Sequence, residues 1–344
     1  KGIRLNATKD GLDYKGKKIY IIGGADGAVK EAVYLAGIAG KVTIVCVEDE
    51  LVCIQEFKDK VAFITGAAHG FGMKFAEEAA SRGMKLALLD QDDKALTELC
   101  NKLKNENIEV LELIADVTEE QEVYDAIEKV MSKYGQIDLL INDAGAATGG
   151  PIWEVPTRDW EWILHADLMS QVYTLRKVLP IMMKQENGGD VLNVASVAGL
   201  MSTAGSPMYV STKFGVVGMT EAVAYDLQAY KQDKIHMHVF APAFVHTNLD
   251  HTEDYRPEKY SDKNDPYYQS ETFKKVLALN TKEITTGMPL DNMGKIVFKG
   301  LEDNKFYILT HPGLNPLITG RAEDAINGKA PDLKKAMSFM TKAH

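Results

Sequence analysis

From position 61 the chain alternates short runs of β-branched and other apolar residues with longer stretches of helical periodicity. The apolar runs fall at 61–65, 85–89, 109–114, 137–141, 190–194, 235–241 and 305–309. Strands that alternate with helices predict an α/β architecture, a doubly wound parallel sheet of about seven strands with helices on both faces. In such sheets ligands bind beyond the carboxyl ends of the strands, so the residues just after each run are the first candidates for chemistry.

The same pattern starts once before. Lys17 to Gly24 is a β-branched run entering glycines, residues 28–39 have helical periodicity, and residues 42–47 form a second run that ends in Glu48 and Asp49. Gly24 precedes Glu48 by 24 residues and Gly66 precedes Asp90 by 24, so the two units align at an offset of 42 without a gap. The first unit is therefore expected to be an extra N-terminal partial βαβ segment. Its turn, Gly23-Gly24-Ala25-Asp26-Gly27-Ala28, partly matches the NADPH-binding segment of thioredoxin reductase-like flavoproteins, but Ala25 puts a methyl where backbone would approach a pyrophosphate. About 60 residues are too few for a complete doubly wound domain, and a structural role, as added sheet or oligomer arm, is the expectation. The division expected is 1–57 for this segment, 58–312 for a catalytic domain and 313–344 for a C-terminal extension.

Composition narrows the function classes. With 344 residues and 45% hydrophobic content the chain can bury a full core. Thirty-nine basic against 49 acidic residues give a net charge of −10 without a long basic run, which argues against nucleic acid or an anionic membrane as partner. Cys46, Cys53 and Cys100 show neither metal-ligand spacing nor a bridging scheme, so no metal is expected and a reduced cytoplasmic setting is. No apolar stretch approaches the ~18–20 residues that cross a bilayer. The first residue is Lys1 rather than Met, and the natural N-terminus is expected upstream.

The chemistry concentrates around Tyr209 and Lys213. At i and i+4 on a helix the two side chains share a face and can point into one pocket. An ammonium beside a phenol favours the phenolate and brings its pKa, ordinarily near 10, toward the range where it can give and take a proton. Ser196, thirteen residues earlier and at the end of the strand in Gly189 to Gly199, can hold the oxygen that changes charge. The turn Thr65-Gly66-Ala67-Ala68-His69-Gly70-Phe71-Gly72 opens a helix, and its glycines let backbone approach phosphates at that helix's positive end.

These motifs together resemble the short-chain dehydrogenase/reductase family over roughly residues 58–312, which implies a Rossmann-like fold. Thr65 to Gly72 matches the family's T-G-x-x-x-G-x-G. Asp116-Val117 matches the pair after the third strand, Asn142-Asp143-Ala144-Gly145 resembles N-N-A-G, and Pro242 to Thr247 resembles P-G-x-V-x-T. The resemblance implies a nicotinamide cofactor held by Gly66, Gly70, Phe71, Gly72, Asp90, Asp116, Val117, Asn142, Ala144, Gly145, Tyr209, Lys213, Pro242, Val245 and Thr247. Asp90, with no arginine beside it, suits the free ribose of NAD(H) and repels a 2′-phosphate. Asp143 and Asp167 stand where the family carries Asn, and Ala243 stands where it carries Gly. Ionised aspartate only accepts hydrogen bonds, so Asp167 is read as a carboxylate member of the Lys213 proton relay, with a helix residue turned elsewhere as the alternative.

The catalytic set expected is thus Ser196, Tyr209, Lys213 and Asp167, with Ser196, Met208 and Tyr209 meeting the substrate. Residues 248–282, rich in tyrosine, are expected to form the substrate lid. The layout resembles bacterial 20β-hydroxysteroid dehydrogenases, which implies reversible NADH-dependent reduction of a small apolar ketone, the 20-oxo group of cortisol, by a homotetramer. The alternatives are another hydroxysteroid, a bile acid or a small secondary alcohol, and, in a different class, a non-catalytic NADH-binding sensor or scaffold.

Overall fold

The computed structural model describes residues 15, 18–22, 41–45, 57–334 and 336, and the chain divides into two units, Lys1–Asp59 and Lys60–His344. In the first unit β1 (Lys18–Ile22) pairs in parallel with β2 (Lys41–Val45), Lys18 opposite Lys41 and Ile22 opposite Val45. This is the strand pair of the anticipated partial βαβ segment. The turn at Gly23 to Ala28 and the helix expected at 28–39 lie outside the described residues.

In the second unit the elements follow in the order β3 (Val61–Thr65), α1 (Gly70–Ser81), β4 (Lys85–Asp90), α2 (Asp93–Asn105), β5 (Val110–Ile114), α3 (Glu120–Tyr134) and β6 (Leu139–Asn142). Then come α4 (Thr157–Leu164), a π-helical turn (His165–Met169), α5 (Ser170–Met182), β7 (Gly189–Val194), α6 (Pro207–Ala229) and β8 (Ile235–Ala241). After a loop segment with three short 3-10 turns, α7 (Glu271–Thr285), α8 (Met293–Glu302), β9 (Tyr307–Leu309) and α9 (Asn315–Ile326) complete the unit. The seven strands from β3 to β9 form one parallel sheet in the order β5-β4-β3-β6-β7-β8-β9. The winding order reverses between β3 and β6, strands being added outward in one direction before and in the other after, and a cleft opens there at the carboxyl edge.

The strands were readable because the sheet is covered on both sides, and β3 is buried at every position. On one face Val123, Ile127 and Val130 of α3, Val178 and Met182 of α5 and Leu227 of α6 pack on Phe63, Leu140 and Val191. On the other, Phe71 and Phe75 of α1 meet Phe240 of β8 at ring-centroid distances of 5.3 and 5.8 Å. There α8 approaches α1 so closely that a Cβ on Gly294 would lie 2.7 Å from the Lys74 carbonyl oxygen. Leu314 and Leu317 pack on Met201, and the Arg321 guanidinium lies 4.5 Å from the Phe214 ring centroid.

Far from the cleft, the amino ends of β7 and β8 are tied by charge. The Asp190 carboxylate lies 3.1 Å from His236 Nδ1 and 3.3 Å from His238 Nε2, and His238 Nδ1 lies 2.8 Å from the carbonyl oxygen of Lys305, next to β9. Burial opposes the Asp190 charge, but the two imidazoles outweigh it and hold the carboxyl down at about 2. A carboxyl depressed by folding stabilises the native state above its ordinary value and loses that contribution as pH falls through the folded one. Asp190→Asn should therefore cost about 1–2 kcal/mol at pH 5, and the difference from the parent should shrink between pH 4 and pH 2. Urea denaturation of both proteins across that range measures it, and a pH-independent difference contradicts the assignment.

Candidate active site

The cleft at the β3/β6 reversal collects most of the anticipated residues. Gly66 turns the chain out of β3 with φ +68°, where an added Cβ would stand 2.7 Å from the Ala144 backbone. A Cβ on Gly72 would lie 2.1 Å from the Gly66 carbonyl oxygen, so only glycine lets α1 begin this close to β3. Gly70, at φ +48°, faces Thr247. The backbone N–H groups at the start of α1 are thereby left at the cleft floor, the arrangement that suits a diphosphate.

At the end of β4, Asp90 accepts hydrogen bonds from the Ala68 and Asp92 amides at 2.9 and 3.0 Å. Burial pushes its carboxyl up and these amides pull it back. Asp116, whose Oδ1 accepts from both the amide and the hydroxyl of Thr118 at 2.8 Å, lines the cleft with Val117 beside it. Ala144, Gly145, Pro242, Val245 and Thr247 line it further along. Val245 is fixed by a parallel bridge to Met288.

The catalytic candidates meet at the other end. Ser196 follows β7; its hydroxyl oxygen accepts from the Ala198 amide at 3.1 Å, its O–H donates to the Pro242 carbonyl oxygen at 3.4 Å, and it stands beside the Tyr209 hydroxyl in the cleft. Lys213, one helical turn after Tyr209 on α6, holds its ammonium 5.3 Å from the Tyr209 ring centroid. Asp167 sits in the π-helical turn between α4 and α5, a single wide turn of the kind that recurs at functional sites. Its Oδ1 accepts from the Ala146 amide at 2.8 Å, and its Oδ2 accepts from the Thr212 hydroxyl at 3.2 Å and lies 3.5 Å from Lys213 Nζ. Burial pushes the Asp167 carboxyl up, and the Lys213 ammonium, the Ala146 amide and the Thr212 hydroxyl pull it back. Gly145 leaves the approach clear, since a Cβ there would lie 3.0 Å from Asp167 Oδ1 and 3.4 Å from Lys213 Nζ.

The electrostatics differ from the expectation that Lys213 alone sets the phenol. Burial pushes the Tyr209 hydroxyl above its ordinary value; the Lys213 ammonium pulls down, and the Asp167 carboxylate opposes it. Burial works against the Lys213 charge, yet Asp167, Tyr209 and Asp143 together raise its pKa. The result is a proton-bearing phenol beside a fixed cation. Asp143 is pushed up to about 8 by burial, against the pull of the Gly72 N–H and Lys213. At neutral pH it keeps its proton and can both donate and accept, as the amide of an asparagine would.

Two anticipated residues are placed elsewhere. Asn142, expected in the cleft wall, is fully buried below it: its amide donates to Asn193 Oδ1 at 2.9 Å and its carbonyl oxygen accepts from Thr174 at 2.7 Å, tying β6, β7 and α5. Met208, expected to meet substrate, points away from the cleft into an apolar cluster with Val155, Ile163 and Tyr267. The next residue on the helix, Tyr209, takes the cleft face instead. The cleft wall also contains Trp162, Leu249, Thr252 and Ile284, which no motif marks, His69, at a variable position inside the glycine motif, and Gln91, which follows Asp90. The tyrosines of the segment after Thr247 divide: Tyr255 lines the cleft, whereas Tyr260 and Tyr267 are packing residues beneath it.

A doubly wound parallel sheet with a glycine cradle at its reversal and a Ser-Tyr-Lys set beyond its fifth strand defines an oxidoreductase of the dinucleotide-binding type. Residues 60–257 match the short chain dehydrogenase family, and the chain belongs to it. It is 55% identical over 280 residues, 81% of this chain and 98% of the other, to the CLA biosynthesis dehydrogenase/reductase of Lactiplantibacillus plantarum. It is 33% identical to human 15-hydroxyprostaglandin dehydrogenase [NAD(+)] over 55% of this chain and 70% of that protein. Among solved structures, a short chain dehydrogenase/reductase from Burkholderia phymatum in complex with NAD superposes with a TM-score of 0.77 at 32% identity, covering 80% of this chain and 98% of that one.

The glycine cradle gives a direct prediction. Gly72→Ala forces a methyl against the Gly66 carbonyl and should cost about 1–3 kcal/mol of stability as an overpacked contact, while weakening dinucleotide binding at least tenfold. Thermal denaturation and fluorescence titration with NADH measure the two effects, and an unchanged dissociation constant contradicts the role given to the turn.

Proposed function

We propose that the protein is an NAD(H)-dependent oxidoreductase that reversibly reduces a ketone on an apolar substrate to a secondary alcohol. The observation that carries this reading is the convergence of Ser196, Tyr209 and Lys213 on one cleft, with Lys213 backed by buried Asp167 at 3.5 Å and burial keeping the Tyr209 hydroxyl protonated. The cradle at Gly66, Gly70 and Gly72 has room for a diphosphate because each glycine stands where a side chain would crowd the turn or its facing strand. Asp90 and Asp116 suit the adenosine end, and Val245 and Thr247 suit the nicotinamide end. When bound, the cofactor supplies or accepts the hydride.

The residues of the chain handle the proton and the position. In reduction the Tyr209 hydroxyl gives its proton to the carbonyl oxygen as negative charge develops there, and the Ser196 hydroxyl orients that oxygen. The Lys213 ammonium stabilises the phenolate left behind and serves as the ribose donor of the site. Asp167, accepting from Ala146, Thr212 and Lys213, keeps the ammonium aimed at the tyrosine and joins the relay that returns the proton. Oxidation runs the same steps backward.

Trp162, Leu249, Val245 and Ile284 give the cleft apolar walls, which favour an apolar substrate. The names of two relatives, one for CLA biosynthesis and one for 15-hydroxyprostaglandin, direct the choice toward hydroxy and oxo groups on long apolar chains. The 20-oxo group of cortisol is retained as the steroid reading. A cytoplasmic homotetramer completes the proposal, and light scattering of the purified protein gives the subunit number.

The test is NADH oxidation with a long-chain oxo acid, cortisol, a bile-acid ketone and a small ketone, with NADPH as the parallel cofactor. Turnover with NADH on at least one apolar ketone is expected. Tyr209→Phe should lower kcat by about 10²–10⁴-fold and leave the NADH dissociation constant within about twofold. Near-normal turnover of that variant removes Tyr209 from the mechanism, and NADH binding without turnover on any carbonyl favours a sensor.

A further inference from the structure

The adenosine end of the cleft has a wall that comes from an unexpected part of the chain. Tyr255, eight residues beyond Thr247, sets its ring 5.2 Å from the His69 imidazole, centroid to centroid. Its carbonyl oxygen accepts from the Gln91 side-chain amide at 3.0 Å. His69 is itself held by Asp92 at 2.8 Å. Tyr255, His69, Gln91 and Asp90 line one continuous cavity with the catalytic residues. The phenol keeps its proton firmly, through burial first and then the carboxylates of Asp92, Asp254 and Asp90 around it.

Neighbouring residues fix this position. Arg256 is 5% exposed, pairs with the fully buried Asp159 of α4 at 2.9 and 3.3 Å and with Glu253, and stacks 4.1 Å from the Trp162 ring centroid. Lys259, a turn further on, pairs with Glu119 and lies 4.0 Å from Asp116. On the other side Thr252 donates its hydroxyl to the Ala147 carbonyl oxygen at 2.8 Å, so the segment is anchored before and after Tyr255, and the ring is held beside His69 and Asp90 in the cleft.

We propose that Tyr255 is a cofactor-selecting residue: its ring closes the adenosine-ribose subsite beside Asp90 and excludes the 2′-phosphate of NADP(H). This rests on the NAD(H) reading above. Selectivity then has two sources on separate parts of the chain. Asp90, on β4, accepts from the ribose hydroxyls, and the segment after β8 supplies the wall that leaves no room for a phosphate. A phosphate placed there would also meet Asp90, Asp92 and Asp254, with the nearest imidazole already committed to Asp92. The same segment covers the substrate end, so cofactor exchange requires it to lift from both.

Equilibrium binding of NADH and NADPH to the full chain, with stopped-flow release of NADH, tests this. Tyr255→Ala should weaken NADH about fivefold or more through loss of ring contact, speed its release, and narrow the NADH-to-NADPH affinity ratio by at least that factor. Tyr255→Phe, which keeps the ring, should hold the ratio within about twofold. A wild type that prefers NADH, with a ratio unmoved by Tyr255→Ala, overturns the role of Tyr255 alone. Equal weakening of both cofactors has the same meaning, because it marks a loosened segment rather than a lost selector. A wild type that prefers NADPH overturns the NAD(H) reading itself, before any variant is compared.

Discussion

The rest of the site depends on one buried charge pair, the Lys213 ammonium against the Asp167 carboxylate, with side chains 5% and 0% exposed. An ammonium taken out of water without a partner costs several kcal/mol and would shed its proton. Here the partner comes from a different element, and a third element satisfies its other oxygen: α6 brings Lys213, the π-helical turn brings Asp167, and the loop after β6 brings the Ala146 amide. Glycine at 145 lets the loop after β6 pack directly on the pair, where a Cβ would lie 3.0 Å from Asp167 Oδ1. Removing either charge strands the other, so the pair constrains the three elements as much as they constrain it. Tyr209 inherits its working state from this arrangement.

Charge balance runs through the whole cleft. The family's asparagines after β6 and in the turn before α5 are both aspartates in this chain, and burial pushes both carboxyls up, against different partners. Asp167 meets only donors and a cation, which suits a carboxylate. Asp143, with its carboxyl pushed up to about 8, meets the glycine turn as a neutral group at physiological pH. One substitution puts a second oxygen acceptor next to Lys213, and the other leaves the floor by the glycine turn uncharged. A chain with a net charge of −10 can thus still present a cleft fit for an anionic cofactor.

Much of this was legible in the sequence. Strands buried on both faces leave short apolar runs, and all seven runs became strands of the sheet. Spacing placed Tyr209 and Lys213 on one helical face, and the glycine turn marked its own tight geometry. Depth was less legible. Motif position shows which element a residue is on but not how far below the surface it sits, which is why Asn142 fell into a buried amide chain and Met208 into the apolar cluster. The π-helical turn leaves no periodic signature in five residues. Tyr255 and Trp162 could not be read as wall residues because the contacts that seat them are distant along the chain: Gln91 lies 164 residues from Tyr255, and Arg256, which stacks on Trp162, pairs with Asp159 97 residues away. The first unit shows its strand pair, while its glycine turn falls outside the described residues.

The measurement that bears most directly on this account is the pH dependence of kcat for ketone reduction in the parent and in Asp167→Asn. Asp167 raises the proton affinity of both Tyr209 and Lys213. Its neutralisation should therefore move the alkaline limb to lower pH, by about one unit or more, because the phenol loses its proton sooner and the ammonium loses its counter-charge. Superimposable profiles would show that the Lys213–Asp167 pair does not govern the proton at Tyr209.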